Sequence, residues 1–214
     1  MSNIQISSIE EQSSPAALHF RLQSCINSAA RRALFLGRRR VIRELPFSIE
    51  KPVKIMEVGC GTGDNLRQLA RWFPNSFVIG TDVSSRMLDK AYHTTADFWK
   101  RVELIKEPYG AGSMRFKGKL DAILFSYSLS RPGSQWQELA SRARDALKPG
   151  GFIAVVDFHD SRFTWLKTQL SSHHVRMDGC LLPFLTKEFD CLASETRTAY
   201  GGLWEYFHFL GRKG

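Results

Sequence analysis

Between residues 53 and 158, short apolar runs alternate with stretches in which apolar positions recur every three or four residues. The runs VKIMEV (53–58), SFVIGTD (76–82), VELIKE (102–107), LDAILFS (120–126) and GFIAVVDF (151–158) predict strands buried on both faces. The segments between them, among them DNLRQLARWF, SSRMLDKAYHTT and QWQELASRARDAL, carry the helical period. Strands alternating with helices predict a parallel sheet with helices on both faces. The end of the chain differs: FDCLASETRTAY and LWEYFHFLGRKG are β-rich runs joined by Gly201 and Gly202, which predicts an antiparallel hairpin. Before Pro52, AALHFRLQSCINSAARRALFLGRRRVIREL has helical spacing broken at Gly37. We therefore expect a disordered lead at 1–14, a helical lid at 15–50 and one α/β domain at 51–214.

The first strand runs into the loop of VKIMEVGCGTGDN, which holds Glu57, Gly59, Cys60, Gly61 and Gly63, and Asp64 opens the next helix. In an open α/β sheet this first turn is where a ligand meets the backbone. The second strand ends in Asp82, 19 positions after Gly63 and just before Val83, where a carboxylate can accept both hydroxyls of a ribose. A nucleoside cofactor follows. A nicotinamide dinucleotide does not fit, because its fingerprint is G-x-G-x-x-G and its pyrophosphate would meet acids at both ends of this loop. A cofactor bearing an amino acid and a sulfonium cation suits those acids.

Charge and cysteines bound the partners. The chain has 214 residues, a formal net charge of +9 and a pI of about 9.6. A basic surface attracts anionic partners. Arg21, Arg31, Arg32, Arg38, Arg39, Arg40 and Arg43 lie in a stretch with no acid between Arg21 and Arg43. They form either a solvated helical face or a lid that meets acidic lipid. The polar N-terminus has no secretory pattern, and no apolar run reaches membrane-spanning length. Cys25, Cys60, Cys180 and Cys191 show neither metal-ligand spacing nor a disulfide framework, so no metal is expected and a cytoplasmic location is.

On Glu57-x-Gly59-x-Gly61-x-Gly63 and Asp82, from about Lys51 onward, the chain resembles the class I S-adenosylmethionine-dependent methyltransferases. The resemblance implies a Rossmann-like seven-stranded sheet with a C-terminal antiparallel hairpin, with LKPGG (147–151) as the turn before the fifth strand. It implies S-adenosyl-L-methionine as cofactor, held by Glu57, Gly59, Cys60, Gly61, Gly63 and Asp64, with Asp82 on the ribose and Val83 beside the adenine. Ser126 at the end of the fourth strand and Glu107 after the third complete that set. LFLGRRRVIREL, FSYSLSRPGSQW, VVDFHDS and HHVRMDGCLLP are similar to segments of the N-methyltransferases that make betaine lipids from diacylglyceryl-homoserine. That narrower resemblance implies a lipid amine as acceptor and a peripheral place on the inner face of a membrane. The chain departs from the family at Asn27 and Ser28, where a Tyr-Asp pair is usual, and at KEPYG, where Glu107 replaces the usual acid.

Methyl transfer to an amine is an in-line displacement that needs a positioned, neutral nucleophile and an acceptor for its proton. The candidates are Tyr127 and Ser128 after the fourth strand and His159 and Asp160 after the fifth. Each has a plainer alternative: Tyr127 can cover the adenosine, His159 can be a hydrogen-bonded wall residue, and Asp160 can cap the segment SRFTWLK. His19, Arg21, Arg31 and Arg38 are the candidates for contact with substrate or membrane. His173 and His174 fit a surface turn. Phe20, Tyr127, Phe158, Trp165 and Trp204 could line a site for a quaternary ammonium, or be core. The alternative functions are methylation of a soluble small molecule and, third, of RNA. Against RNA, the fourth strand ends in SYSL where base-amine methylation uses an N/D-P-P-Y loop, and no Pro-Cys pair offers a nucleophile for cytosine, so no stable nucleic acid partner is expected.

Overall fold

The computed structural model describes residues 35–107, 113–172 and 174–214. The expected lead at 1–14, most of the expected lid, and His19, Phe20, Arg21, Cys25, Asn27, Ser28, Arg31, Arg32 and His173 lie outside the described residues. Seven strands, β1 (Lys54–Val58), β2 (Phe77–Asp82), β3 (Val102–Lys106), β4 (Leu120–Ser126), β5 (Leu147–Phe158), β6 (Asp190–Ala199) and β7 (Trp204–Arg212), form one sheet in the order β3-β2-β1-β4-β5-β7-β6. The first five are parallel, and β7 inserts antiparallel between β5 and β6. Strand order reverses between β1 and β4, which opens a crevice beyond their carboxyl ends.

Seven α-helices accompany the strands: α1 (Arg38–Arg43), α2 (Asp64–Trp72), α3 (Ser85–Thr94), α4 (Ser113–Phe116), α5 (Trp136–Ala146), α6 (Thr164–Ser172) and α7 (Leu181–Glu188) among the described residues. The apolar period explains their faces: α5 buries Trp136, Leu139, Ala140, Ala143 and Ala146, and α2 buries Leu66, Leu69 and Ala70. One core cluster joins Phe125, Ile153, Phe207 and Phe209 of the sheet to Leu139 of α5 and Leu185 of α7.

The sequence reading is corrected at LKPGG. LKPGG is not a separate turn: Leu147 already pairs with Leu120, and a register shift separates that pair from Ala122 and Phe152. Gly150 N–H there donates to the carbonyl of Lys213, so the hairpin's last residues recruit the segment into β5. Gly37–Gly214 is one compact unit, and α1 buries Val41 and Ile42 completely, with Leu45 behind them. Two apolar side chains on this short helix and a third just after it outweigh the arginines of the same stretch, since each buried one contributes roughly 1.5–3 kcal/mol.

Candidate functional site

At the carboxyl end of β1 the glycine loop folds back on β2. The N–H groups of Gly59 and Cys60 both donate to the Thr81 carbonyl at 2.9 Å, and Gly63 N–H donates to Cys60 O at 3.1 Å. Two of the glycines are dictated by space as well as by backbone. Gly59 has φ 73°, and a Cβ there would lie 2.7 Å from Ser128 Cβ; Gly63 has φ 80°, and a Cβ would lie 3.0 Å from the backbone of Ala91. Gly63 is thus the contact that lets α2 approach α3. Gly61 differs, since a Cβ there would meet nothing within 4 Å.

Two carboxylates frame the loop. Asp82 accepts the N–H of Gly61 on Oδ2 and that of Ser84 on Oδ1, each at 2.9 Å. Burial raises its pKa, against the pull of those N–H groups and, more weakly, of Arg131. Glu57 is only 1% exposed; its Oε1 accepts from Asn65 Nδ2 at 2.7 Å, while Oε2 has no partner. Burial pushes the Glu57 carboxyl up to about 8, opposed by the positive charge of Arg38 and by the Asn65 bond. A concavity lined by Val58, Gly59, Thr81, Asp82, Val83 and Glu107 lies beside them, and Glu107 N–H donates to the Asp82 carbonyl at 3.3 Å. Cys60 is buried, and burial raises its thiol pKa far above the usual range, so it is an inert wall. Asp64 is exposed and accepts from Thr62 Oγ1 at 3.2 Å.

The expected catalytic residues separate into two groups. Tyr127 adopts φ 54°, its ring stands edge-on to Phe158 at 4.8 Å, and its side chain is buried. His159 is half-buried, with its ring 6.0 Å from Phe207 and its Nδ1 enclosed without a partner. These two remain at the mouth of β4 and β5. Ser128 and Asp160 are otherwise engaged. Ser128 Oγ donates to the Val58 carbonyl at 2.6 Å, buried, so its hydroxyl joins β1 to β4. Asp160 Oδ1 accepts from Ser161 N–H and pairs with Lys167 Nζ at 2.5 Å; although burial raises its pKa, those contacts hold it below the ordinary value. It does not cap α6 with a spare carboxylate; it is neutralised by it. Ser126, at the strand end, keeps a buried Oγ without a partner.

The arginine run is also redistributed. Arg38 lies near enough to Glu57 to stabilise its charge, Arg40 pairs with Glu44 and Glu195 at 2.6 Å each, and Arg43 stacks over Trp72 at 4.8 Å. The described part of the run is therefore engaged with the protein itself apart from Arg39, although Arg43 is exposed too. Of the aromatic candidates among the described residues, Trp165 is 58% exposed and Trp204 is buried against Tyr200, while Tyr127 and Phe158 stand together after β4 and at the end of β5.

Three residues were missed in the sequence. Asn65 is fully buried on the first turn of α2, and a polar residue on an apolar helix face was its signal. Asp157 is fully buried in β5, an acid inside an apolar strand run. Arg131 donates from Nε to the Tyr127 carbonyl at 2.9 Å and its charge reaches both Asp82 and Asp157; nothing in RPGSQW marks it.

Known proteins with the same construction agree on the domain. Residues 55–151 match the methyltransferase domain family. The trans-aconitate 2-methyltransferase of Deinococcus radiodurans is 29% identical over 171 residues, 75% of this chain, which spans about half (54%) of that relative's length. The solved 1,6-didemethyltoxoflavin-N1-methyltransferase of Burkholderia thailandensis, with 1,6-didemethyltoxoflavin and S-adenosylhomocysteine bound, superposes with a TM-score of 0.70 at 14% identity, covering 99% of this chain and 93% of that one. Phosphoethanolamine N-methyltransferase 2 of Haemonchus contortus, with phosphomonomethylethanolamine and S-adenosylhomocysteine, gives a TM-score of 0.66 at 18% identity over 83% of this chain and 52% of that one. The methyltransferase match runs from β1 to the start of β5 and so takes in the glycine loop and Asp82, and the solved methyltransferases share this chain's fold.

Proposed function

We propose that the chain transfers a methyl group from S-adenosylmethionine to an amine, and that the amine is a lipid headgroup of the diacylglyceryl-homoserine type. The observation that carries the first half is the pair of buried carboxylates, with Glu57 Oε2 left unpartnered next in sequence to Val58, which lines the crevice. That orphaned acceptor fits a cationic amino acid moiety, and Asp82 and Glu107 line the adjoining space where a nucleoside's hydroxyls and amine would sit. When bound, the cofactor supplies an electrophilic methyl on a sulfonium. The chain's own residues orient the amine at the mouth of β4 and β5, where Tyr127, Phe158 and His159 converge, and exclude water there. Two of the comparison proteins are N-methyltransferases, which favours nitrogen as the target, and the SYSLS segment favours the betaine-lipid headgroup. A soluble small molecule is the second reading, favoured by the trans-aconitate relative.

Lipid extraction and mass spectrometry from cells expressing the chain, with and without a synthase for diacylglyceryl-homoserine, test the acceptor. The expected result is a ladder of lipid masses in steps of one methyl that appears only with both proteins. A ladder missing in both strains, with turnover on a water-soluble amine, overturns the lipid half.

The cofactor half has its own test. Asp82→Ala removes the acceptor shared by Gly61, Ser84 and the ribose, so affinity for S-adenosylhomocysteine should fall by about 1–3 kcal/mol, roughly 5- to 150-fold. Calorimetry giving an unchanged constant would remove Asp82 from the site.

No helix among the described residues is long and apolar enough to cross a membrane. Contact with a lipid surface is assigned to the arginines of the N-terminal run, of which Arg39 is exposed in the described fold, while Arg21, Arg31 and Arg32 lie outside the described residues. Co-sedimentation with anionic vesicles should weaken as salt rises, because surface attraction is screened within about 10 Å at 0.1 M salt. Equal sedimentation with neutral and anionic vesicles counts against this surface.

A further inference from the structure

The loop that leaves β4 is held by a carboxylate that takes no part in the chemistry described above. Asp157 has no exposed surface, although its neighbours in β5 are Val155, Val156 and Phe158. Its Oδ2 accepts the backbone N–H groups of Leu129 at 2.9 Å and Ser130 at 3.0 Å, and its Oδ1 accepts that of Phe158 at 2.8 Å. A buried charge is costly unless hydrogen bonds compensate it, and here two of the three compensating donors come from the loop. The loop needs holding. Tyr127 sits at φ 54°, a conformation that a residue with a Cβ seldom keeps without support from its surroundings. Its N–H donates to the Val156 carbonyl at 2.8 Å, and its own carbonyl accepts from Arg131 Nε at 2.9 Å.

Ser128 extends these contacts to the cofactor loop. Its hydroxyl is bonded to the Val58 carbonyl, and its Cβ sits where a side chain on Gly59 would have to go. A continuous set of contacts thus runs from Asp157 in β5, through Leu129 and Ser130, to Ser128 and the glycine loop after β1.

We infer that Asp157 is a positioning residue: by binding the N–H groups of Leu129 and Ser130 it fixes the left-handed Tyr127 and the seat of Ser128 on Gly59, and so sets the spacing between acceptor loop and cofactor loop. What the loop does rests on the methyltransferase reading; how it is held does not. Leu or Val at this position would fill the core but leave two buried loop donors without an acceptor.

Asp157→Asn is close in shape, yet whichever way its amide turns, one set of N–H donors meets an NH2 group. Hydrogen exchange read by mass spectrometry on the free protein should show residues 127–131 exchanging about tenfold faster or more, with residues 57–64 nearly unchanged. Affinity for S-adenosylhomocysteine should stay within about threefold, while kcat on diacylglyceryl-homoserine falls by about thirtyfold or more. A role confined to holding the core would move all of these together. Unchanged exchange at 127–131 overturns the inference, and so does faster exchange spread evenly over the sheet with parallel loss of cofactor affinity. If the wild-type protein leaves that lipid unmethylated, the acceptor reading fails, while the exchange and binding arms still decide the role of Asp157. Should Asp157→Asn not fold, Ser130→Pro deletes one of the two loop donors and leaves β5 untouched. The same loop-confined acceleration is then expected, and its absence is equally decisive against the inference.

Discussion

Cofactor binding by this chain should tighten as pH rises toward 8 and then level off, and Glu57→Gln should abolish the dependence. Glu57 is an acid forced to stay neutral: burial lifts its pKa from 4.5 to about 8, despite the charge of Arg38 and the bond from Asn65. A cationic amine placed against its free Oε2 favours the carboxylate, so binding expels the proton that the empty site holds. The observed affinity then gains up to about tenfold per pH unit between the carboxyl's pKa in the complex and about 8, and nothing above that. With Gln the site has an amide at all pH values, and affinity should stay near the acid limit of the wild type.

The same residue has a folding consequence of opposite direction. Its folded-state value lies above the unfolded one, so the folded chain binds the extra proton between pH 4.5 and about 8. The associated stability is complete below 4.5 and is lost as pH rises through that window. The whole shift is worth at most ~5 kcal/mol. Cofactor-free Glu57→Gln should therefore melt higher than the wild type at pH 8.5 while binding the cofactor less well. Calorimetric titrations at several pH values, paired with melting curves, check both signs. Identical pH profiles for the two proteins would sink the idea that Glu57 is the proton-linked acceptor.

Why the first half of this site could be read in the sequence and the second could not is a matter of range. The glycine loop is local: Glu57, Gly59, Gly61 and Gly63 lie within seven positions, and a strand followed by a helix brings them to one crevice whatever the rest of the fold does. Asp82 was legible because β2 is the next parallel strand and the pairing of Val58 with Thr81 carries it alongside. The strand alternation likewise made the parallel sheet and final hairpin legible. Partners at long separation were not. Ser128 looks like a reactive hydroxyl until its bond to Val58, 70 positions away, is seen. Asp160 looks like a helix cap until Lys167 neutralises it. Arginines 38, 40 and 43 look like a solvated or lipid-facing stripe, but a six-residue helix that buries Val41 and Ile42 turns them toward Glu57, Glu44 and Trp72. Charge density along the chain says nothing about which way a short helix rolls.

Turnover and cofactor affinity should separate at the mouth of β4 and β5. Ser126 pairs with Val156 across these adjacent parallel strands, so Tyr127 and His159 emerge from neighbouring strand ends, with chains ~4.8 Å apart. His159 is placed by its backbone: its N–H donates to Glu205 O at 2.8 Å, and its carbonyl accepts from Gly179 N–H at 2.9 Å. The ring lies against Phe207, and its enclosed Nδ1 has no protein partner. A ring held by main chain and packing, with Nδ1 enclosed, leaves Nε2 as the nitrogen that can meet an incoming ammonium without first breaking a bond. Tyr127 is held differently, by its ring on Phe158 and its backbone on Val156 and Arg131, so Tyr127→Phe preserves the packing and removes only the hydroxyl. His159→Ala should lower kcat by about a hundredfold to ten-thousandfold with S-adenosylhomocysteine affinity nearly intact, and the deficit should shrink as pH rises and more of the amine arrives already neutral. Tyr127→Phe should lower kcat without that pH dependence if its hydroxyl orients the amine, since orientation is needed whatever the amine's charge. Wild-type turnover in both variants would place the acceptor outside this mouth. A deficit in His159→Ala that stays constant with pH would leave the imidazole as wall, and would move the search for the proton acceptor to the residues before Gly37.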